Sequence, residues 1–284
     1  MLQAILRLSK APLSICAILL VLLAPSCKKA DLQQEQEITI SKERIEELRN
    51  SIAASTGAPL AEVEYKAAER SFSVSNDALI TVQDAEARFP QSANVVGGSS
   101  GSQQRVYSYT VSRTNATNIV CYADATVPAE WLTALDQAIA NWNATNSLVV
   151  MKRVTAITTT KPGKGKKPGT TTTTVPEHDV LITTMYNNTS NVIAQAYYPS
   201  YDGSAGHKVQ INTYYNYLNA SYKTFAITHE LGHTIGFTHT NQTYGSLIPG
   251  TPETDPNSVM NSTVLPWNGF TSYDVIAVRT IYPK

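Results

Sequence analysis

The chain predicts an α+β fold arranged around a histidine-bearing helix near its C-terminal end. Three observations carry that reading. Three of the five histidines fall between residues 229 and 239, at helical spacing. Upstream, between residues 105 and 212, strand-like apolar runs surround one amphipathic helical stretch. A Gly/Ser-rich run, Gly97 to Gln104, has linker composition and separates a small N-terminal module from this larger region. The domains predicted are therefore a leader over 1–26, a tether and N-terminal module over 27–104, and a main domain over 105–284.

The leader opens with Arg7 and Lys10 and continues in an apolar run, Leu13 to Leu23. At about eleven residues that run is too short to span a bilayer. Leu23-Ala24-Pro25-Ser26-Cys27 follows and resembles a lipobox. Cleavage before Cys27 and acylation of its sulfur would anchor the protein to a membrane. The expected location is an exported, outer-membrane or cell-surface lipoprotein of Gram-negative type, or otherwise a secreted or periplasmic protein. Charged residues make up only 15% of the chain and its formal net charge is zero, so nothing points to a nucleic-acid partner. With Cys16 in the leader and Cys27 acylated, Cys121 stands alone and no internal disulfide is expected.

After a polar tether, Ser41 begins a helix with Ile45, Leu48 and Ile52 on one stripe. Pro59 to Arg70 is expected to form a second helix, and Ser71 to Val82 a pair of strands. Past the linker, Asn118 to Tyr122 predicts a buried strand with Cys121 as a small core residue. Pro128 opens a helix to Asn143, with Trp131, Leu135, Ala138, Ile139 and Trp142 on its buried face. Ser147 to Ile157 predicts a strand, and the basic loop from Lys161 to Gly169, flanked by threonine runs, a hairpin tip. His178 to Thr184 is a further strand. Lys208, Val209, Gln210 and Ile211 lie in the next, expected to be an exposed sheet edge that offers its backbone to a peptide.

The histidine cluster reads His229-Glu230-Leu231-Gly232-His233-Thr234-Ile235-Gly236-Phe237-Thr238-His239, which is H-E-x-x-H-x-x-G-x-x-H. On a helix, His229 and His233 share one face, offset by ~40°. Two imidazoles so placed can hold a zinc ion at ~2.0–2.1 Å. Glu230 is turned by ~100° from the first of them, beside the metal without ligating it, where a general base is required. Gly236 can take the positive φ that ends the helix, letting the chain return His239 as a third ligand. Three protein ligands leave a position open, the pattern of a catalytic zinc. About 20 residues beyond His239, Met260 sits in an Asn/Ser-rich turn and is expected to form a soft floor beneath the metal. His178, Asp202 and His207 are weaker candidates for a second, structural Ca2+ or Zn2+ site.

The stretch 229–240 resembles the signature of the dual-action HEIGH metallopeptidases, a bacterial metzincin family, with Leu231 where many members have isoleucine. The similarity continues through Thr271-Ser272-Tyr273-Asp274 to Tyr282, and upstream over Trp131 to Asn143, so that it spans roughly 105–284. The resemblance implies a zincin-like domain: a twisted mixed sheet, an active-site helix and a C-terminal helix. It implies a matrixin-like centre of three histidines and water, because no tyrosine stands two residues after Met260. It places the wall of the S1′ pocket between Met260 and Phe270, with Pro266 and Trp267. It also implies that residues upstream of 105 can block the open zinc position. No cysteine is available there for this after Cys27, and Asp77 or Asp84 is the candidate. The expected function is a monomeric, lipid-anchored zinc metalloendopeptidase acting on protein or peptide substrates. The alternative is a non-catalytic surface-anchored binding module or adhesin of the same fold.

Overall fold

The computed structural model describes residues 40–89, 104–163, 169–243, 245–252 and 255–284. The leader, Cys27 and the Gly/Ser run up to residue 103 lie outside them.

Helix α1 (Lys42–Thr56) starts where the Ser41 side chain accepts the Arg44 amide and stops at Gly57, φ 77°. The helix expected over 59–70 does not form. Two short 3-10 turns flank strand β1 (Val63–Lys66), in which Val63 and Tyr65 pair with Val74 and Phe72. Period-two pairing with β2 (Ser71–Val74) overrides the helical propensity of this Ala/Glu-rich stretch. β3 (Ala78–Thr81) completes the expected strand pair, and α2 (Val82–Arg88) follows, capped by Thr81. Beyond the linker come β4 (Arg105–Val106), α3 (Arg113–Ala116), β5 (Ile119–Ala123) and α4 (Ala129–Ala144). The strand expected over 147–157 is split. β6 (Met151–Val154) stays in the main sheet, whereas β7 (Ile157–Lys161) leaves it to pair with β8 (Thr170–Thr174) as an exposed ribbon. Then follow β9 (Val180–Met185), β10 (Ala194–Tyr197), β11 (Lys208–Asn212), α5 (Ala220–Thr234), β12 (Phe237–Thr238), β13 (Ser246–Leu247) and α6 (Ser272–Ile281).

The main sheet has eight strands in the order β1-β2-β3-β10-β11-β9-β5-β6. β6, β5, β9 and β11 run parallel, and α4 is the crossover from β5 to β6. β10 is antiparallel to β11. β3 then pairs parallel with β10 through Ala78 with Ala196 and Leu79 with Tyr197. The segment before the linker therefore continues the sheet of the main domain.

This order corrects one expectation. Lys208, Val209, Gln210 and Ile211 do form a strand, but β11 is interior, hydrogen-bonded to β10 on one side and β9 on the other. Its backbone is not available to a peptide. The strand on its cleft side is β10, and the outer edge of β10 is covered by β3.

The larger core packs α4 and α5 against the sheet, with Trp131, Leu135, Cys121, Val209, Ile227, Leu231 and Val278 inside. Burial pushes the Cys121 thiol up to about 12, consistent with an inert core residue. Trp142 donates from its indole nitrogen to the Thr228 carbonyl at 3.0 Å, tying α4 to the middle of α5. A smaller core gathers Leu48, Ile52, Phe72 and Ile80 of the N-terminal segment with Tyr107 and Tyr198.

Candidate metal centre

Helix α5 is set by Asn219, whose side chain accepts from the amides of Ser221 and Tyr222. It runs buried through His229, Glu230 and His233 and ends before Gly236. Gly236 has φ 101°, and a Cβ there would stand 3.0 Å from the Tyr109 carbonyl. A side chain would thus be strained by the backbone and crowded by that carbonyl at the position where the chain reverses into β12. The reversal delivers His239.

The three rings converge. His229 Nε2 lies 3.1 Å from His239 Nε2, which lies 3.2 Å from His233 Nε2. Each Nδ1 faces an oxygen: Val259 O at 2.7 Å for His229, Phe237 O at 2.7 Å for His233, and Gln242 Oε1 for His239. Carbonyl oxygens only accept, so the ring protons sit on Nδ1. The three Nε2 atoms then aim lone pairs at one another, which no hydrogen bond can satisfy. A cation resolves the arrangement. Zinc bonds of ~2.0–2.1 Å at the tetrahedral angle separate neighbouring ligand nitrogens by about 3.3 Å, close to the spacing found.

A fourth donor completes the group. Asp77 Oδ1 is 3.2 Å from His239 Nε2 and 3.8 Å from His233 Nε2, and Oδ2 is 3.7 Å from His229 Nε2. Asp77, His229, His233 and His239 form a cluster able to hold one metal ion. Asp77 Oδ1 is buried and accepts no hydrogen bond, again the environment of a metal donor. His233 is held low by burial and by His229, which keeps it neutral.

Asp77 gets there by its turn. Ser75 and Asn76 both take positive φ, 61° and 79°, between β2 and β3. The Asp77 carbonyl accepts the Ala196 amide of β10 at 2.8 Å, fixing the backbone while the side chain enters the centre. Asp84, the other acid named from the sequence, goes elsewhere. It accepts from the Ser200 hydroxyl and the Tyr201 amide and bonds the capping Thr81.

Glu230 is buried, and its Oε2 has no hydrogen-bond partner. Burial, then the nearby Asp77 charge, raises its carboxyl well above the ordinary value. Met260 lies under α5, so close to Gly232 that a Cβ there would stand 2.4 Å from its sulfur. The turn carrying Met260 hangs on Asp274. That carboxylate accepts from Gln104, the Ser258 hydroxyl, and the amides of Val259 and Thr271. His178, Asp202 and His207 are not brought together. His178 bonds the Pro176 carbonyl, Asp202 accepts the Ser204 amide, and His207 packs on Tyr197.

A cavity of about 500 Å³ opens over the centre, between Ser190–Ala194 and Asn261–Val264, with Asp77, His229 and Glu230 in its wall. A neighbouring cavity of about 600 Å³ is lined by Leu265, Pro266, Trp267 and Phe270 and shares Phe225 with the first.

Two histidines on a helix that also carries a buried glutamate with an unpartnered oxygen, joined by a third histidine from the following turn, are the arrangement of a zinc peptidase. The chain belongs to the dual-action HEIGH metallo-peptidase family, matched over residues 72–282. The match begins within β2, well upstream of the expected 105, and so includes Asp77. Among solved structures, the chain is similar to high choriolytic enzyme 1, a hatching-enzyme zinc protease of the medaka fish Oryzias latipes. The identity is 14%, covering 61% of this chain and 93% of that one, at a TM-score of 0.37. It is also similar to two structures of myroilysin, at 11% and 12% identity, covering 60% and 61% of this chain and 85% and 84% of theirs, each at 0.38. No curated protein matches in sequence.

Proposed function

We propose that this protein is a zinc endopeptidase, made as a latent chain in which Asp77 occupies the position that substrate and water require. The observation that carries the reading is the convergence of three Nε2 lone pairs beside Glu230. His229, His233 and His239 would hold zinc, which supplies Lewis-acid activation of water and of the scissile carbonyl. Glu230 takes the proton of the attacking water through its unpartnered Oε2 and delivers it to the leaving amine. The main cavity holds the peptide beside that carboxylate. The adjoining cavity, walled by Trp267 and Phe270, receives an apolar side chain just past the cleaved bond.

Latency has two supports. Asp77 fills the fourth position around the histidines, and β3 covers the β10 edge along which an extended peptide would pair. The active form is one in which this hairpin has withdrawn. Export and anchoring complete the reading: the basic-apolar leader and Cys27 support acylation, and a membrane surface would then be the enzyme's platform.

The test uses the full chain carrying Asp77→Ala. One zinc per chain and chelator-sensitive cleavage of a short fluorogenic peptide are expected. Adding Glu230→Gln should keep the zinc and lower turnover by about 10²–10⁴-fold. Zinc binding without any turnover would instead favour the binding-module alternative. Acylation of Cys27 is read by mass spectrometry of membrane-extracted protein, and its absence removes the anchor.

A further inference from the structure

His229 and His233 are oriented by backbone carbonyls, Val259 O and Phe237 O, which the fold holds in place. His239 is different. Its Nδ1 meets a side chain, Gln242 Oε1, three residues further on. His239 is also the ligand that does not ride on α5, so its ring gains least from the helix. The turn bearing Gln242 is fastened at the two residues just before it. Thr240 donates its amide to the Met260 carbonyl at 2.9 Å. Asn241 exchanges two bonds with Ser262, Nδ2 to Oγ at 2.9 Å and Oδ1 from the Ser262 amide at 3.0 Å. The amide oxygen of Gln242 is thus presented from a base bolted to the methionine turn.

We propose that Gln242 is the positioning residue of the third metal ligand. It keeps the His239 proton on Nδ1 and turns the Nε2 lone pair toward the metal. Partners of this kind fix ring orientation and raise ligand basicity, and losing one typically costs 10–100-fold in metal affinity. No feature of the H-E-x-x-H-x-x-G-x-x-H string specifies this position. The assignment rests on the zinc-peptidase reading.

The experiment measures zinc affinity of the full chain by competition with a chromogenic chelator. It also records the visible spectrum of the Co2+-loaded chain and the thermal unfolding of the metal-free chain. Gln242→Met keeps length and loses the acceptor. It should bind zinc about 10–100-fold more weakly than wild type and alter the Co2+ bands, with metal-free unfolding unchanged. Gln242→Glu restores an acceptor at the same reach and should return the affinity to within a few-fold and the bands toward wild type. Equal zinc affinity in Gln242→Met and wild type overturns the assignment. So does an equal loss in both variants that tracks a lowered metal-free unfolding temperature, since that is a purely structural role. A wild-type chain that takes up no zinc overturns the peptidase reading itself, and this assignment with it.

Discussion

Replacing Asp77 with alanine removes the one carboxylate among the four donors. The Asp77 side chain is 17% exposed, and its oxygens stand 3.2–3.8 Å from the three ring nitrogens. In the metal-loaded chain the pair at stake is this carboxylate and the cation held by three neutral imidazoles, and deleting one partner of a buried charged pair is felt at about 3–5 kcal/mol. At 1.4 kcal/mol per tenfold, the population with an accessible metal position should rise by on the order of 10² to a few times 10³-fold. The rest of the hairpin stays docked. Ala78 and Leu79 still pair with β10, and Arg88 still binds the Tyr107 hydroxyl and the Pro199 carbonyl from beneath the rings of Tyr107 and Tyr109. The gain should therefore be largest for a short fluorogenic peptide and smaller for casein, which needs the β10 edge. The assay is kcat/KM for both substrates in wild type, Asp77→Ala and Asp77→Asn, with zinc content measured on the same samples. A zinc-loaded wild-type chain that cleaves the short peptide as fast as Asp77→Ala refutes the reasoning, because the carboxylate then blocks nothing.

The remaining predictions concern the supports of the centre. Gly232→Ala would set a Cβ 2.4 Å from Met260 Sδ and 3.2 Å from the Trp142 ring. It should cost about 1–3 kcal/mol by overpacking and weaken zinc binding, read by chelator competition with the unfolding midpoint. Asp274→Ala orphans buried donors from Ser258, Val259 and Gln104 and removes the capping box of α6. A loss of about 3 kcal/mol in denaturant unfolding is expected, with faster zinc release because Val259 O orients His229. An unchanged midpoint in either variant would show that the methionine turn is held by other contacts.

How much of this was legible depended on whether a feature is local. The spacing from His229 to His239 encodes one helical face and one reversal, both set within eleven residues, and the structure folds the stretch that way. The helix from Ala129 and the strand at Ile119 to Ala123 were equally readable from their apolar periods. Pro59 to Arg70 misled because its alanines and glutamates favour helix, while Val63 and Tyr65 are decided by Val74 and Phe72 across the sheet. β10, with the sequence Ala-Gln-Ala-Tyr, is too short and too mixed to announce itself. Without β10 in view, β11 reads as the edge.

Asp77 shows the limit most clearly. Its acidity is visible, but Asp84, seven residues on and inside α2, is equally acceptable on sequence. What separates them is three-dimensional. Two consecutive left-handed residues, Ser75 and Asn76, tip the chain so that the Asp77 carbonyl takes the Ala196 amide while its side chain reaches the histidines. Left-handed backbone is unfavourable for serine, so the turn persists because the pairing on either side over-determines it. One hairpin thereby covers the strand edge and fills the metal position together, and neither contact can be made without placing the other. A hairpin that left would expose both at once. The latch and the substrate path are for that reason a single element of this fold, and a variant that frees only one of them, as Asp77→Ala does, is the means of separating their contributions.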